Sequence, residues 1–390
     1  MSGRKRQFLF TILLVLLVFG LGSKIVNAEE QTDGDADAVQ EKIEEAILSE
    51  FDFDEIERSL QDMFPDEKIE FGDVVTALMS GDAEEAGGVL LDFLSDVVSY
   101  EFRYNWHNLA YVIIIALAAA VFSNFSGAFQ NRQISDISFY VLYMLLITLC
   151  LTSFQTAAQG LEGRLDSVVE FMRVLCPSYF LAVAFASGSV TSMFFYNVIL
   201  FLIYVVELAV VRFLLPVINV YIMIQVLGNL TGEDFLSEFA QLLQKLVTWI
   251  LRTLLAGVIG INVVQGLLAP AIDSLRKSAL TRTAEALPWV GNAVGGAAEV
   301  VLGTAVLIKN GIGMAGAVIA VLICAVPVIQ MLILAFLYKL AAALVQPVSD
   351  KRITGCISSV SEGYELLVKV VFTAGVLFLL TIAIVAASTT

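Results

Sequence analysis

From Leu109 onward the chain is a succession of apolar runs, most close to twenty residues long, parted by short polar stretches. A helix rises ~1.5 Å per residue and the hydrocarbon core of a bilayer is ~30 Å thick, so runs of this length predict membrane-crossing helices. They fall at about Leu109–Phe129, Ile137–Phe154, Met172–Gly188, Thr191–Val211, Phe213–Leu230, Leu246–Ala269, Pro288–Ile308, Ile312–Val326, Pro327–Gln346 and Val368–Ala387. Several are short and separated by only a few residues, as at Ser187 to Ser192, and these read as re-entrant hairpins. The expected number of crossings is eight to ten, or six if both hairpins turn back. No ten-residue alternation of apolar and polar positions is visible, which excludes a membrane β-barrel. The fold class is therefore all-α and polytopic.

The pattern differs before Leu109. Val39, Ile43, Ala46 and Ile47, then Phe53, Ile56, Leu60 and Phe64, recur at three or four and predict amphipathic helices ending at Pro65. A second group, Val89, Leu90, Phe93, Leu94, Val97 and Val98, leads into the first crossing. Upstream, Arg4-Lys5-Arg6, the apolar run Phe8–Gly20 and the small Ala28 form a signal-peptide pattern over residues 1–28. Such a signal sends residues 29–108 out of the cytoplasm.

Charge sharpens this division. Of the 390 residues, 58% are apolar and 15% charged; residues 29–108 carry 24 acidic and 4 basic side chains, whereas 109–390 carry 14 of each. The acidity belongs to the outer segment, and an acidic amphipathic helix is repelled by anionic head groups. Its apolar stripe is expected to dock onto a protein partner or onto the membrane body. Lys and Arg leave the topology open, with Arg132, Lys245, Lys351, Arg352 and Lys369 counted inside and Arg276, Lys277 and Arg282 outside.

The stretch SEFAQLLQKLV, Ser237 to Val247, returns as SEGYELLVKVV, Ser361 to Val371, at a separation of 124. Upstream, Pro216-Val217-Ile218-Asn219 matches Pro327-Val328-Ile329-Gln330 at 111, the same separation as Pro177 and Pro288. An insertion of about 13 residues in the second copy reconciles the two registers. This predicts an internal duplication, 171–270 and 282–390, preceded by a membrane hairpin at 109–155. In transporters built from repeats the substrate path lies at the repeat interface. Pro177, Pro216, Pro288 and Pro327 are candidate helix breaks, because proline lacks the donor N–H and crowds the preceding turn.

Ionisable groups inside apolar runs are costly, which makes Glu207, Arg212, Arg252, Glu299 and Lys309 candidate pore or intramembrane polar residues. For each, a structural ion pair or close helix packing is the plainer alternative. Glu299 and Lys309 flank a glycine-rich stretch suited to tight packing. Cys150, Cys176, Cys324 and Cys356 show no metal or redox spacing, and His107 sits among Tyr104, Trp106 and Tyr111 in an interfacial aromatic belt. There is no phosphate loop, nucleophile elbow or metal motif and no basic groove, so no catalytic, cofactor, metal or nucleic-acid site is expected.

The segments PVINVYIMIQVLGNL (Pro216–Leu230), INVVQGLLAPAIDSLRKSALTRTAEALPWVGNAVGGAAEVVLGTAVLIKNGIG (Ile261–Gly313) and LVQPVSDKRITGCI (Leu344–Ile357) resemble the stage III sporulation protein AE family of endospore-forming Firmicutes. The resemblance implies a multi-pass component of the mother-cell membrane around the engulfed forespore, with residues 29–108 facing the space between two membranes. Its implied partners are the other proteins of the stage III sporulation A operon and a forespore membrane protein. Together these form a channel, or feeding tube, that sustains late forespore gene expression. Two roles follow: a transporter-like or channel-forming subunit, or a non-conducting scaffold that recruits ring-forming partners through the outer helices.

Overall fold

The computed structural model describes residues 53–63, 71–80, 83–124, 132–187, 189–231, 236–284 and 291–387. All lie in one compact unit, Glu44–Thr390. The expected signal peptide, the helix around Val39 to Ile47 and Pro288 fall outside the described residues.

Two short helices come first, α1 (Asp54–Met63) and α2 (Phe71–Ser80). Asp54, Glu55 and Glu57 occupy the first turn of α1, where carboxylates meet the positive end of the helix dipole. Its apolar stripe, Ile56 and Leu60, is fully buried, as are Phe71 and Val75 of α2, and Phe53 and Phe71 meet at 5.3 Å between ring centroids.

The body follows as α3 (Ala83–Asn124), α4 (Arg132–Ser187), α5 (Ser189–Ala209), a π turn (Val210–Leu214), α6 (Leu215–Thr231), α7 (Ser237–Ala284), α8 (Gly291–Val345) and α9 (Lys351–Ala387). α1 packs on α4 and α2 on α8, so of the two expected docking surfaces these helices use the body itself. α9 begins at a side-chain cap: Asp350 Oδ1 accepts the Arg352 N–H at 2.8 Å.

Among the described residues six helical stretches are long and apolar enough to cross a membrane: Val97–Val121, Ile137–Ala184, Asn197–Asn229, Ser237–Ile261, Gly303–Val345 and Lys351–Ile382. Some runs expected as separate crossings are fused. α4 continues from 132 through 187, across the stretch expected to part the membrane hairpin from the first repeat, and α8 continues through Ile308 to Ile312. α4 ends at Ser187 and the next helix starts at Ser189. Helix α4, with 56 residues, is about 84 Å long, far more than a bilayer.

α9 is the centre of the bundle. It runs parallel to α4, with Tyr143 Oη donating to the Arg352 carbonyl at 3.4 Å and Phe154 meeting Tyr364 at 5.1 Å. It runs antiparallel to α6, where Asn229 Nδ2 donates to Ser359 Oγ at 2.8 Å. It also runs antiparallel to α8, where Ser361 Oγ donates to the Ala335 carbonyl at 2.8 Å. Two glycines permit this closeness. A Cβ on Gly363 would stand 2.1 Å from Ile222 Cδ1, and one on Gly355 2.5 Å from Asn229 Oδ1.

Candidate functional site

The charged middle of α4 faces the end of α5. Asp166, Glu170 and Arg173 recur at four and three on one face of α4, while Glu207 lies three residues before the π turn. Arg173 donates a charge-assisted hydrogen bond to Glu207 and also pairs with Glu170 at 3.7 Å. Together with Ser167, Val169 and Arg212 these residues line an open cleft of about 390 Å³. At its edge Val169 and Glu207 also adjoin an apolar group, Leu165, Val206, Val210, Val211, Ala374 and Phe378.

The π turn has a local cause. A proline at 216 cannot donate to the carbonyl four residues back, and its ring crowds that carbonyl, which belongs to Arg212. The chain responds by widening: the Leu215 N–H donates to the Val210 carbonyl, five residues back. Single π turns inside α-helices occur often at functional sites, since they re-aim the side chains around them. Here Arg212 lies within the wide turn, is exposed and lines the cleft.

The other face of the α4 middle carries a second polar cluster. Arg164 pairs with the buried Glu101 of α3 at 3.8 Å, Asn105 Nδ2 donates to Glu101 Oε2 at 3.1 Å, and Gln330 of α8 hydrogen-bonds the same carboxylate. Gln330 stands 111 positions after Asn219, the separation of the two Pro-Val-Ile stretches. One stretch of α4 thus ties α3 and α8 on one side and α5 on the other.

Of the residues singled out from sequence, Glu207 and Arg212 share the cleft. Arg252 is exposed on α7 and does not line it. Lys309 is fully buried on α8. Glu299 lies within α8, and its side chain is outside the described set. Pro177 and Pro327 sit inside helices that run on through them, and Pro216 opens α6 just after the π turn. Among the described residues the ion-pair partner of Glu207 is Arg173. That residue, with Asp166, Glu170, Arg164 and Glu101, went unremarked in the sequence. The i, i+4, i+7 spacing of Asp166, Glu170 and Arg173 between two apolar runs is the signal that would have found them.

All four cysteines are buried free thiols, with Cys150 and Cys356 within hydrogen-bonding reach of each other. His107 is exposed beside exposed Tyr104, Trp106 and Tyr111, and Tyr100 stacks on Tyr104 at 6.1 Å. Among the described residues no group of three or more His, Cys, Asp or Glu is placed to hold a metal ion. The cleft brings together three carboxylates, Asp166, Glu170 and Glu207, and two guanidinium groups, Arg173 and Arg212.

The family model for stage III sporulation protein AE matches residues 69–389. The chain belongs to the stage III sporulation protein AE family. It is 25% identical over 399 residues to the stage III sporulation protein AE of Bacillus subtilis (strain 168), with 97% of each chain covered. No solved structure matches the chain. As a member of the family it is a sporulation protein, and its six long apolar helices fit a multi-pass membrane protein.

Proposed function

We propose that this family member is the transporter-like or channel-forming membrane subunit of the mother-cell-to-forespore complex. On this reading it acts with the other proteins of its operon and a forespore membrane partner, and residues 29–108 face the space between the two membranes. The observation that carries the reading is the cleft at Glu207. A mixed-charge pocket beside a π turn, on a helix end next to an apolar group, is a poor structural clamp and a good stopping place for a polar solute. The repeat is part of the same reading: the windows at Ser237 and Ser361 are both helical and bury the same face, Ala240, Leu243 and Val247 against Tyr364, Leu367 and Val371.

The test is a charge exchange. Glu207→Gln is expected to block formation of heat-resistant spores without lowering the amount of protein in the membrane. If the ion pair serves only to hold α4 to α5, the double variant Arg173→Glu/Glu207→Arg restores sporulation. Rescue by that double variant sinks the conduit reading; continued failure, with normal protein level, supports it. The scaffold alternative draws on a different observation. With its apolar stripe spent on the body, α1 presents an outer face on which Asp54, Glu55 and Arg58 are exposed. Asp54→Lys/Glu55→Lys would then abolish co-purification of the partners while Glu207→Gln leaves it intact.

A further inference from the structure

The outward strip of α9 is out of place for its depth. Its register brings Arg352 to Tyr364 level with Tyr143 to Phe154 of α4, Ile222 to Asn229 of α6 and Ala335 to Lys339 of α8. At that level the exposed residues of the neighbours are mostly apolar: Met144 and Leu145 on α4, Met223 and Leu227 on α6, Leu332 and Phe336 on α8. On α9, however, Ser358, Glu362, Glu365 and Lys369 recur at four, three and four along a single face, with Glu365 and Lys369 exposed. Neither of the two is in an ion pair among the described residues. Charges held at bilayer depth require water or a countercharge, since hydrocarbon offers neither.

The strip opens between α7 and α8, which do not pack on each other among the described residues. A second exposed strip lies on α7. Glu238, Leu242, Lys245, Trp249 and Arg252 recur at four, three, four and three, and all five are exposed. Lys245 and Arg252 likewise make no ion pair among the described residues. The alternation of three and four is the spacing by which two helices interlock along a seam. Because α7 follows α6 through a short connection and packs back on it, and α9 is antiparallel to α6, α7 and α9 run the same way. Copies inserted in one orientation therefore present these two strips to each other in parallel.

We propose that copies of this chain associate side by side, with the α7 strip of one seated on the α9 strip of the next. Lys245 of one copy neutralises Glu365 of its neighbour, a register that sets Trp249 level with Lys369. The two surfaces differ, so the contact is heterologous, and it forms a ring of copies sharing one membrane orientation when the rotation between neighbours closes.

Two differently tagged full-length chains, one with Glu365→Cys and the other with Lys245→Cys, are co-expressed and their membranes oxidised with copper phenanthroline. Both positions are exposed and the four native thiols are buried. The expected result is a crosslinked species carrying both tags, lost when Val220→Cys, on the exposed face of α6, replaces Lys245→Cys. Absence of that species, with both introduced thiols labelled by a membrane-permeant maleimide, overturns the proposal. So does crosslinking of Cys-substituted 365 to a different protein in place of a second copy. In an independent measurement, Lys245→Glu and Glu365→Lys each reduce co-purification of the second tagged copy, and combining them in every chain restores it. Single variants that co-purify as well as the unaltered chain also overturn the proposal.

Discussion

Helices α7 and α9 carry the same eleven-residue pattern and end in different surroundings. In both, the face at Ala240, Leu243 and Val247, or Tyr364, Leu367 and Val371, is buried. The matched leucines beside it part company: Leu242 is 57% exposed and Leu366 is 0%. α7 covers one side of the bundle, whereas α9 is enclosed by α4, α6, α7 and α8. What the central helix has and the outer one lacks is a glycine where neighbours converge. Gly363 stands where α7 has Phe239, whereas the serine is shared: Ser361, matched by Ser237 on α7, differs in that its hydroxyl donates to the Ala335 carbonyl of α8. A shared apolar period thus makes a membrane helix, while the size of the residues between the periodic ones decides how many sides it can bury.

The largest effect should come from the matched leucines. Leu366→Ala removes a fully enclosed side chain and is expected to cost about 3 kcal/mol, by the range for buried Leu truncations. Leu242→Ala, on the outer face, should stay within about 0.5 kcal/mol. Unfolding of the purified protein in bilayer discs measures both, and equal losses would mean that α7 is as enclosed as α9, through contacts with other chains.

Gly363→Leu comes next. Part of the clash, at Ile222 Cδ1, falls on the flexible end of a side chain that can swing away. The Phe154 ring at 2.9 Å cannot, because Tyr364 is packed against it. A loss of about 2 kcal/mol is expected, as for other overpacked cores, with Phe239→Leu nearly neutral. A smaller loss than that of Phe239→Leu would show that α9 is not held against α6 as closely as the glycine implies.

Much of this contrast was legible in the chain. The helices and the resemblance of the two windows follow from period and spacing. The continuity of α4 and α8 was not, because a stretch of glycine or charge weakens a helix locally and only packing tells whether it survives. At Gly313 the answer is Tyr179: a Cβ there would sit 2.7 Å from its Oη, so the glycine that costs helix propensity is required by the neighbouring helix. Arg173 was hidden because it falls at the edge of the apolar run Met172–Gly188, where an average over many residues dilutes one charge. Its partner Glu207 is 34 positions away, and nothing in a single sequence joins the two. Pro216 was read as a break; the wide turn that accommodates it depends on backbone geometry that no residue pattern announces.

Ser361→Ala tests the polar side of the comparison. Its hydroxyl is buried and donates to a carbonyl that α8 already uses in its own ladder, so the substitution removes a bond without orphaning a donor. The expected loss is about 1 kcal/mol. Ser361→Val, close in shape with an added methyl, separates bond from volume. A larger loss for valine than for alanine places the limit on space between α8 and α9, and the reverse places it on the hydrogen bond.

The smallest effect concerns what starts α9. The chain leaves α8 through a tight turn, with the Val348 and Ser349 N–H groups both donating to the Val345 carbonyl, and Asp350 then caps the new helix through the Arg352 N–H. Two physical effects coincide at Asp350, an accepted hydrogen bond and a negative charge at the positive end of the helix dipole. Asp350→Ala removes both and should cost about 1 kcal/mol, whereas Asp350→Asn keeps the acceptor and removes the charge, with an expected cost of about 0.3 kcal/mol. Measured at low and high salt, the asparagine variant should close most of its gap to the parent as screening weakens the charge term. If asparagine instead loses as much as alanine, the dipole rather than the cap bond starts α9, and the order in which the last two helices settle against each other is set by charge.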